Sequence, residues 1–180
     1  MKKIALTFGL IGSGLILLYF FITFLLLGDV ANLTADTLQI AEVLGYLRYL
    51  ILLLTVIFAM RTYRQQTTLT YSYWSIVKVG LVVSVIVGVV VGLMEMIYIA
   101  LTPEFFDGYY NATIETMTKS GASATEIDAF KQTFEELSWM KNPLLAGLFY
   151  LAETALIGCV MSFIVGIFMR AKPQPKLAQA

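Results

Sequence analysis

Residues 76–101 read IVKVGLVVSVIVGVVVGLMEMIYIAL. Lys78 and Glu95 are the only charges in this stretch, and Ser84 and Tyr98 the only other polar side chains. About 20 apolar residues in a helix cross the hydrocarbon core of a bilayer. A helix meets every backbone hydrogen bond there without water. The valines between Val82 and Val91 are compatible with this reading, because length and backbone satisfaction decide the conformation in lipid. Within the stretch Gly80, Ser84, Gly88 and Gly92 recur every four residues. Such a small-residue ridge lets two helices approach closely.

Three more apolar runs flank this one, at Ile4–Leu27, Glu42–Met60 and Pro143–Met169. The last holds a second ridge, Gly158, Ser162 and Gly166. The 180-residue chain is 59% apolar and 13% charged, with a mean hydropathy of +0.82. A soluble domain has roughly 45–50% apolar and about 25% charged residues. The expected fold is an all-α integral membrane protein. It has transmembrane helices at 4–27, 42–60, 76–101 and 143–169, and an extracytoplasmic helical hairpin between spans three and four.

Charge sorting sets the expected orientation. Lys2, Lys3, Arg61, Arg64, Lys78, Arg170, Lys172 and Lys176 fall in three polar pieces without an acidic residue. The other two pieces, with Glu42 at the edge of the second run, hold ten acidic residues against three lysines. Basic loops stay cytoplasmic, so both termini and the tail 170–180 are expected inside the inner membrane of a bacterium. The formal net charge is zero. The basic residues are too dispersed for a nucleic-acid surface, and a cationic inner face suits anionic lipid. The run at Ile4–Leu27 is longer than a signal-peptide core and lacks an A-x-A site after it, so it reads as an uncleaved span. Tyr71, Tyr73 and Trp74 suit the interface that leads into span three.

Residues 102–142 form the one sizeable polar segment and read as two amphipathic helices. Thr102 is expected to cap the first, with Pro103 at its first position, and Gly121 to end it. Ser123 and Glu126 have capping-box spacing and start the second. Phe106, Tyr110, Ile114 and Met117 make one apolar stripe; Ile127, Phe130, Phe134, Leu137 and Met140 make the other. Phe130, Phe134 and Leu137 are a candidate partner face, unless the preceding helix covers them.

Arg48, Glu95 and Glu153 are charges placed well inside spans. Counting 1.5 Å per residue from the outer ends puts them roughly 9, 9 and 15 Å deep. An Arg48–Glu95 pair is therefore geometrically available. Tyr98 and Tyr150 lie three residues from Glu95 and Glu153 and are candidates to hydrogen-bond them. Intramembrane ionisable groups mark functional sites by default, and a structural ion pair is the competing reading. Glu153 has no basic partner of its own in this reckoning. It sits nearly opposite the ridge on span four, so that span needs protein or water on two faces. This points to a homo-oligomer or a heterologous membrane-protein partner.

No histidine is present, which removes the commonest general base and metal ligand. Cys159 is the only cysteine and lies in an apolar run, so no intrachain disulfide forms. Hydrolase, zinc-protease and P-loop motifs are absent. No catalytic, metal or cofactor residue is assigned, and no cofactor is expected. Asn32-Leu-Thr34 and Asn111-Ala-Thr113 match the glycosylation sequon, a chance match in a bacterial chain.

Several short stretches carry a family resemblance. They are Lys2-Lys3 before a Gly-rich first span, Leu44-Gly45-Tyr46, Arg61-Thr-Tyr63-Arg64, Lys78-Val-Gly80, Thr102-Pro103-Glu104-Phe105 and Asn142-Pro143. In this order the chain resembles the family called domain of unknown function 4199, found mainly in Bacteroidota. Thr102 stands where the family pattern leads one to expect Asn. The resemblance implies a four-span inner-membrane protein and carries no activity. Two functions compete, ahead of a third, a membrane enzyme using only carboxylates, which no motif marks. One is a non-enzymatic accessory or assembly protein that docks a membrane or periplasmic partner. The other is a small transporter or lipid-headgroup binder built on Arg48, Glu95 and Glu153.

Overall fold

A computed structural model describes residues 1–27, 33–66 and 72–169. The described chain is helical. Helix α1 spans Lys2–Leu27, α2 Ala35–Gln66, α3 Tyr73–Leu101, α4 Phe105–Lys119, α5 Ala124–Glu136 and α6 Pro143–Phe168, with a single 3-10 turn at Ser138–Lys141 before α6. Four of them, α1, α2, α3 and α6, are long and apolar enough to cross a membrane. Their length and composition make this a multi-pass membrane protein. Large apolar side chains such as Leu6, Leu10, Phe21, Val85, Leu156 and Ile167 are exposed on the outside of the bundle, as a lipid environment requires. The expected stops at Arg170 and Lys172, the tail 170–180, Asn32 and Tyr71 lie outside the described residues.

Helix ends follow local hydrogen bonding rather than the apolar runs. Helix α2 begins seven residues before the expected Glu42 and runs past Met60 to Gln66. Thr34 starts it: Thr34 Oγ1 accepts from the Thr37 N–H at 3.3 Å, and Thr37 Oγ1 accepts from the Thr34 N–H at 2.7 Å. Lipid limits the apolar stretch, while caps limit the helix. Helix α3 likewise starts early, at Tyr73, where Ser72 Oγ accepts from the Ser75 N–H at 3.2 Å. Thr102 corrects the sequence expectation. It closes α3 instead of opening α4, its Oγ1 donating to the Tyr98 carbonyl at 2.6 Å. The N-cap of α4 is Glu104, without a side-chain cap bond. Gly121 does end the turn after α4, with a φ of 79° that other residues rarely adopt. Ser123 and Glu126 form a complete capping box on α5, and Asn142 Oδ1 caps α6 before Pro143.

Helix α3 is the hub. It packs on α1, α2 and most extensively on α6, while α2 also touches α1, α6 and α4. The two small-residue ridges face each other. A Cβ on Gly80 or Gly158 would collide with Ser162 or Ser84 respectively, and one on Gly92 would stand 2.5 Å from the Gly147 carbonyl oxygen. The backbones of α3 and α6 therefore nearly touch, in antiparallel register. Ser84 and Ser162 satisfy their hydroxyls on their own helices, donating to Gly80 O at 2.8 Å and Gly158 O at 2.7 Å. Neither serine therefore needs a partner across the seam, which Tyr73 of α3 crosses by donating to the Phe163 carbonyl at 3.2 Å. Gly9 and Gly12 of α1 play a smaller version of the same part, against Ile86 and against Thr55 and Val87.

The two faces of α6 that suggested a second molecule are both met inside the chain. The ridge is taken by α3, and Glu153 by α2. In the polar segment, Phe130 stacks on Tyr110 with ring centroids 5.9 Å apart, and Phe134 lies 5.0 Å from Tyr110 and 6.4 Å from Phe106. Those two rings are turned onto α4. Leu137 stays 42% exposed. Lys141 reaches Asp107 at 2.8 Å and ties the end of the segment to α4.

Candidate functional site

Three spans converge on one guanidinium. Arg48 of α2 is 7% exposed. Its Nη1 donates to Glu95 Oε1 of α3 at 3.0 Å, and its Nη2 stands 3.4 Å from Glu153 Oε2 of α6. Sequence depth made the first pairing available and left Glu153 alone; the second contact corrects that. The register explains how one side chain serves both. Gly147 lies opposite Gly92 and Met96, so Glu153 starts six residues beyond the level of Glu95, about 9 Å by helical rise. Side chains lean toward the N-terminus of their own helix. On antiparallel α3 and α6 the two carboxylates therefore lean toward each other, and the forked guanidinium spans what is left.

Tyrosines complete the cluster, though not as the spacing suggested. Tyr49 receives a hydrogen bond from Arg48 Nη2 at 2.8 Å and donates to Glu153 Oε1 at 2.6 Å. The sequence reading passed over Tyr49. A tyrosine adjacent to a buried arginine is the one available signal, and a weak one, because neighbouring residues diverge by about 100° around a helix. Tyr150 does not bond Glu153; its ring lies 5.2 Å from Arg48 Cζ, and the Tyr49 ring lies 4.9 Å away. Stacking of this kind holds a guanidinium in place. The Tyr98 hydroxyl is buried and does not bond Glu95, and neither it nor Arg48 Nε has a hydrogen-bond partner among the described residues. Counting formal charges, one cation faces two carboxylates.

Above this cluster lies a cavity of about 410 Å³. Arg48, Glu95, Tyr98 and Tyr150 line it. So do Tyr19, Phe20 and Phe24 of α1 and Ala41 and Gly45 of α2. Ile99 of α3, Phe105, Phe106 and Tyr109 of α4, Phe134 of α5, and Leu137 and Met140 complete the aromatic and apolar wall. The polar segment thus covers the same end of the bundle at which the charges meet. The sequence singled out Phe134 and Leu137 as an outward face, and the fold sets both on the wall of this cavity. No periodic signal in the chain marks the cavity, since residues from six helices and the turn before α6 meet there only after folding. Glu153, 27% exposed at its side chain, is not on the wall.

Among the described residues no group of His, Cys, Asp and Glu is arranged to hold a metal ion. Gly80, Ser84, Gly88, Gly92, Gly158, Ser162 and Gly166 are all engaged in packing. Asn111 is exposed on α4.

No curated protein and no solved structure matches the chain. One family does, that described as "Protein of unknown function (DUF4199)", over residues 7–171. With nearly its whole length matched, the chain belongs to the DUF4199 family.

Proposed function

We propose that this is a non-enzymatic inner-membrane protein that binds a small amphiphilic molecule in the cavity above Arg48. The carrying observation is a space of about 410 Å³ with apolar and aromatic walls and a polar floor. Small-molecule sites are typically clefts of about 300–1,000 Å³ with a few convergent polar groups. A purely structural ion pair needs no such space beside it. Native mass spectrometry in mild detergent tests the reading. Gly45 lines the cavity, and a Cβ added there meets no atom within 4 Å. Gly45→Phe therefore fills the space without disturbing the cluster. Wild type is expected to carry a lipid-sized non-covalent adduct that Gly45→Phe lacks. Equal adducts on both would remove the cavity from consideration.

In the proposed orientation both termini are cytoplasmic, and α4 and α5 form an extracytoplasmic hairpin over the cavity. The support is the sorting of basic and acidic residues. In a Cys159→Ser background, a membrane-impermeant thiol reagent on intact cells should label Ser123→Cys and spare Gln174→Cys. The reverse pattern inverts the topology. An accessory or assembly role, with a partner seated on Phe130, Phe134 and Leu137, has less support, because the first two rings are occupied by α4.

A further inference from the structure

We propose that the groove between α1 and α3, at the end of the bundle away from Arg48, seats one anionic phospholipid, with an acyl chain between the helices and the phosphate against Lys2, Lys3 and Lys78. The proposal does not depend on the cavity-binding reading.

Helix spacing makes the groove. A Cβ on Gly9 would stand 2.8 Å from Ile86 Cδ1, and one on Gly12 3.0 Å from Val87 Cγ2. At that level α1 and α3 touch, and from it both run in the same direction. Toward their N-termini a groove of about 310 Å³ opens between them. Ala5, Leu6, Val82 and Ile86 make its apolar wall, and Lys2 and Lys3 stand at its mouth. Ala5 is buried, while Leu6 is 55% and Val82 43% exposed. The groove therefore has a closed back and a side open to lipid, the shape that one acyl chain fills.

The same register gathers charge at the mouth. Counting back along α1 and α3 from Gly9 and Ile86, Lys78 falls at the level of Lys2 and Lys3. It precedes Val82 by one turn and is exposed, as the other two lysines are. None of the three forms an ion pair among the described residues. No acidic residue is present in 1–3, 61–78 or 170–180. Glu95, the acidic residue of α3, lies 17 positions beyond Lys78, roughly 25 Å by helical rise.

Three cations without a counter-charge select the head. Basic pockets between spans hold anionic lipid heads, and lysine serves phosphate as a compact point charge. A phosphocholine head brings its own cation into the same cluster and gains less. A second copy of the chain on this face would set lysines against lysines, so the groove does not suit self-association.

The test uses the full chain, delipidated, in non-ionic detergent. Native mass spectrometry follows titration with phosphatidylglycerol and with phosphatidylcholine of identical chains. The first bound phosphatidylglycerol is expected to be at least about tenfold tighter than the first phosphatidylcholine. Lys78→Gln should weaken it about fivefold, the value of one lysine beside an anionic head. Lys119→Gln, an exposed lysine on α4, should leave it unchanged. Val82→Phe fills the groove from its exposed side and should abolish the tight binding while Gly45→Phe preserves it, which separates this site from the cavity. Equal affinity for the two lipids overturns the anionic class. A preference that survives both Lys78→Gln and Val82→Phe, or that falls equally with Lys119→Gln, reflects the charge of the whole surface and overturns the site. Displacement of the lipid by glycerol 3-phosphate at comparable concentration shows that the head binds without its chain and overturns the groove as its seat.

Discussion

Removing Arg48 is the most informative single perturbation. Arg48→Met preserves most of the side-chain volume and deletes the charge. The loss has two parts. Five interactions disappear: contacts to Glu95 at 3.0 Å and Glu153 at 3.4 Å, the bond to the Tyr49 hydroxyl at 2.8 Å, and the stacking on the Tyr49 and Tyr150 rings. Two carboxylates are also stranded, one of them only 14% exposed. Breaking a buried ion pair from one side costs about 3–5 kcal/mol, and this arginine serves two partners, so the upper half of that range is expected. Glu95→Gln should cost only about 1–2 kcal/mol, because Arg48 keeps Glu153 and Tyr49. In Arg48→Met/Glu95→Gln the remaining carboxylate, Glu153, still has the Tyr49 hydroxyl at 2.6 Å. The double variant is therefore expected to be more stable than Arg48→Met alone by about 1–3 kcal/mol. Equilibrium unfolding in mixed micelles, followed through Trp74 and Trp139, reads these differences. If the single losses add to within about 0.5 kcal/mol in the double variant, the residues act independently and the cluster as described is wrong.

Three further outcomes follow from other parts of the molecule. Gly92→Ala pushes a methyl to 2.5 Å from the Gly147 carbonyl and should cost about 1–3 kcal/mol, whereas Gly14→Ala meets nothing within 4 Å and should be neutral or stabilising; the same unfolding assay compares them. Phe134→Ala removes a ring that contacts Phe106, Tyr109 and Tyr110, and should loosen α5 enough to raise amide exchange across 124–136 while leaving α3 and α6 protected. The capping-box bonds from the Ser123 N–H and hydroxyl hold the Glu126 carboxyl below its ordinary value of 4.5. A depressed carboxylate contributes stability above its unfolded value and loses it as pH falls through the folded one. Protection at the start of α5, the exchange rate taken relative to the unstructured amide at the same pH, should thus fall on acidification below about pH 4.5, and Glu126→Gln should remove that dependence while preserving the box.

Much of the architecture was legible because lipid simplifies the rules. A span must be apolar for about 20 residues, and two helices without large side chains between them leave a period-four trace, as Gly80 to Gly92 and Gly158 to Gly166 do. Depth along a helix is arithmetic, so Arg48 and Glu95 could be matched by counting. Azimuth between helices is not. The partnership of Tyr49 with Glu153 depends on how α2 is rotated against α6, and no spacing encodes that rotation. The ends of α2 were misplaced because its polar flanks, from Asp36 to Glu42 and from Arg61 to Gln66, continue the helix outside the apolar run. Thr102 was ambiguous for a related reason: at a boundary between two helices, one hydroxyl can serve either, and Tyr98 O was within reach.

The contact between Gly92 and Gly147 has a consequence for the charges beyond holding two helices together. It works as a gauge block. With no side chain between the backbones, α3 and α6 cannot slide without collision between Gly147 and Leu151 on one helix and Gly92 and Met96 on the other. Glu95 is three residues from one of these glycines and Glu153 six from the other. A slip of a single turn, about 5.4 Å, would carry one carboxylate out of reach of a guanidinium whose two contacts are made at 3.0 and 3.4 Å. The tolerance of the polar cluster is therefore set by residues that carry no polar side chain at all, and the depth at which the charge sits in the bilayer is fixed by where hydrogen atoms replace methyl groups.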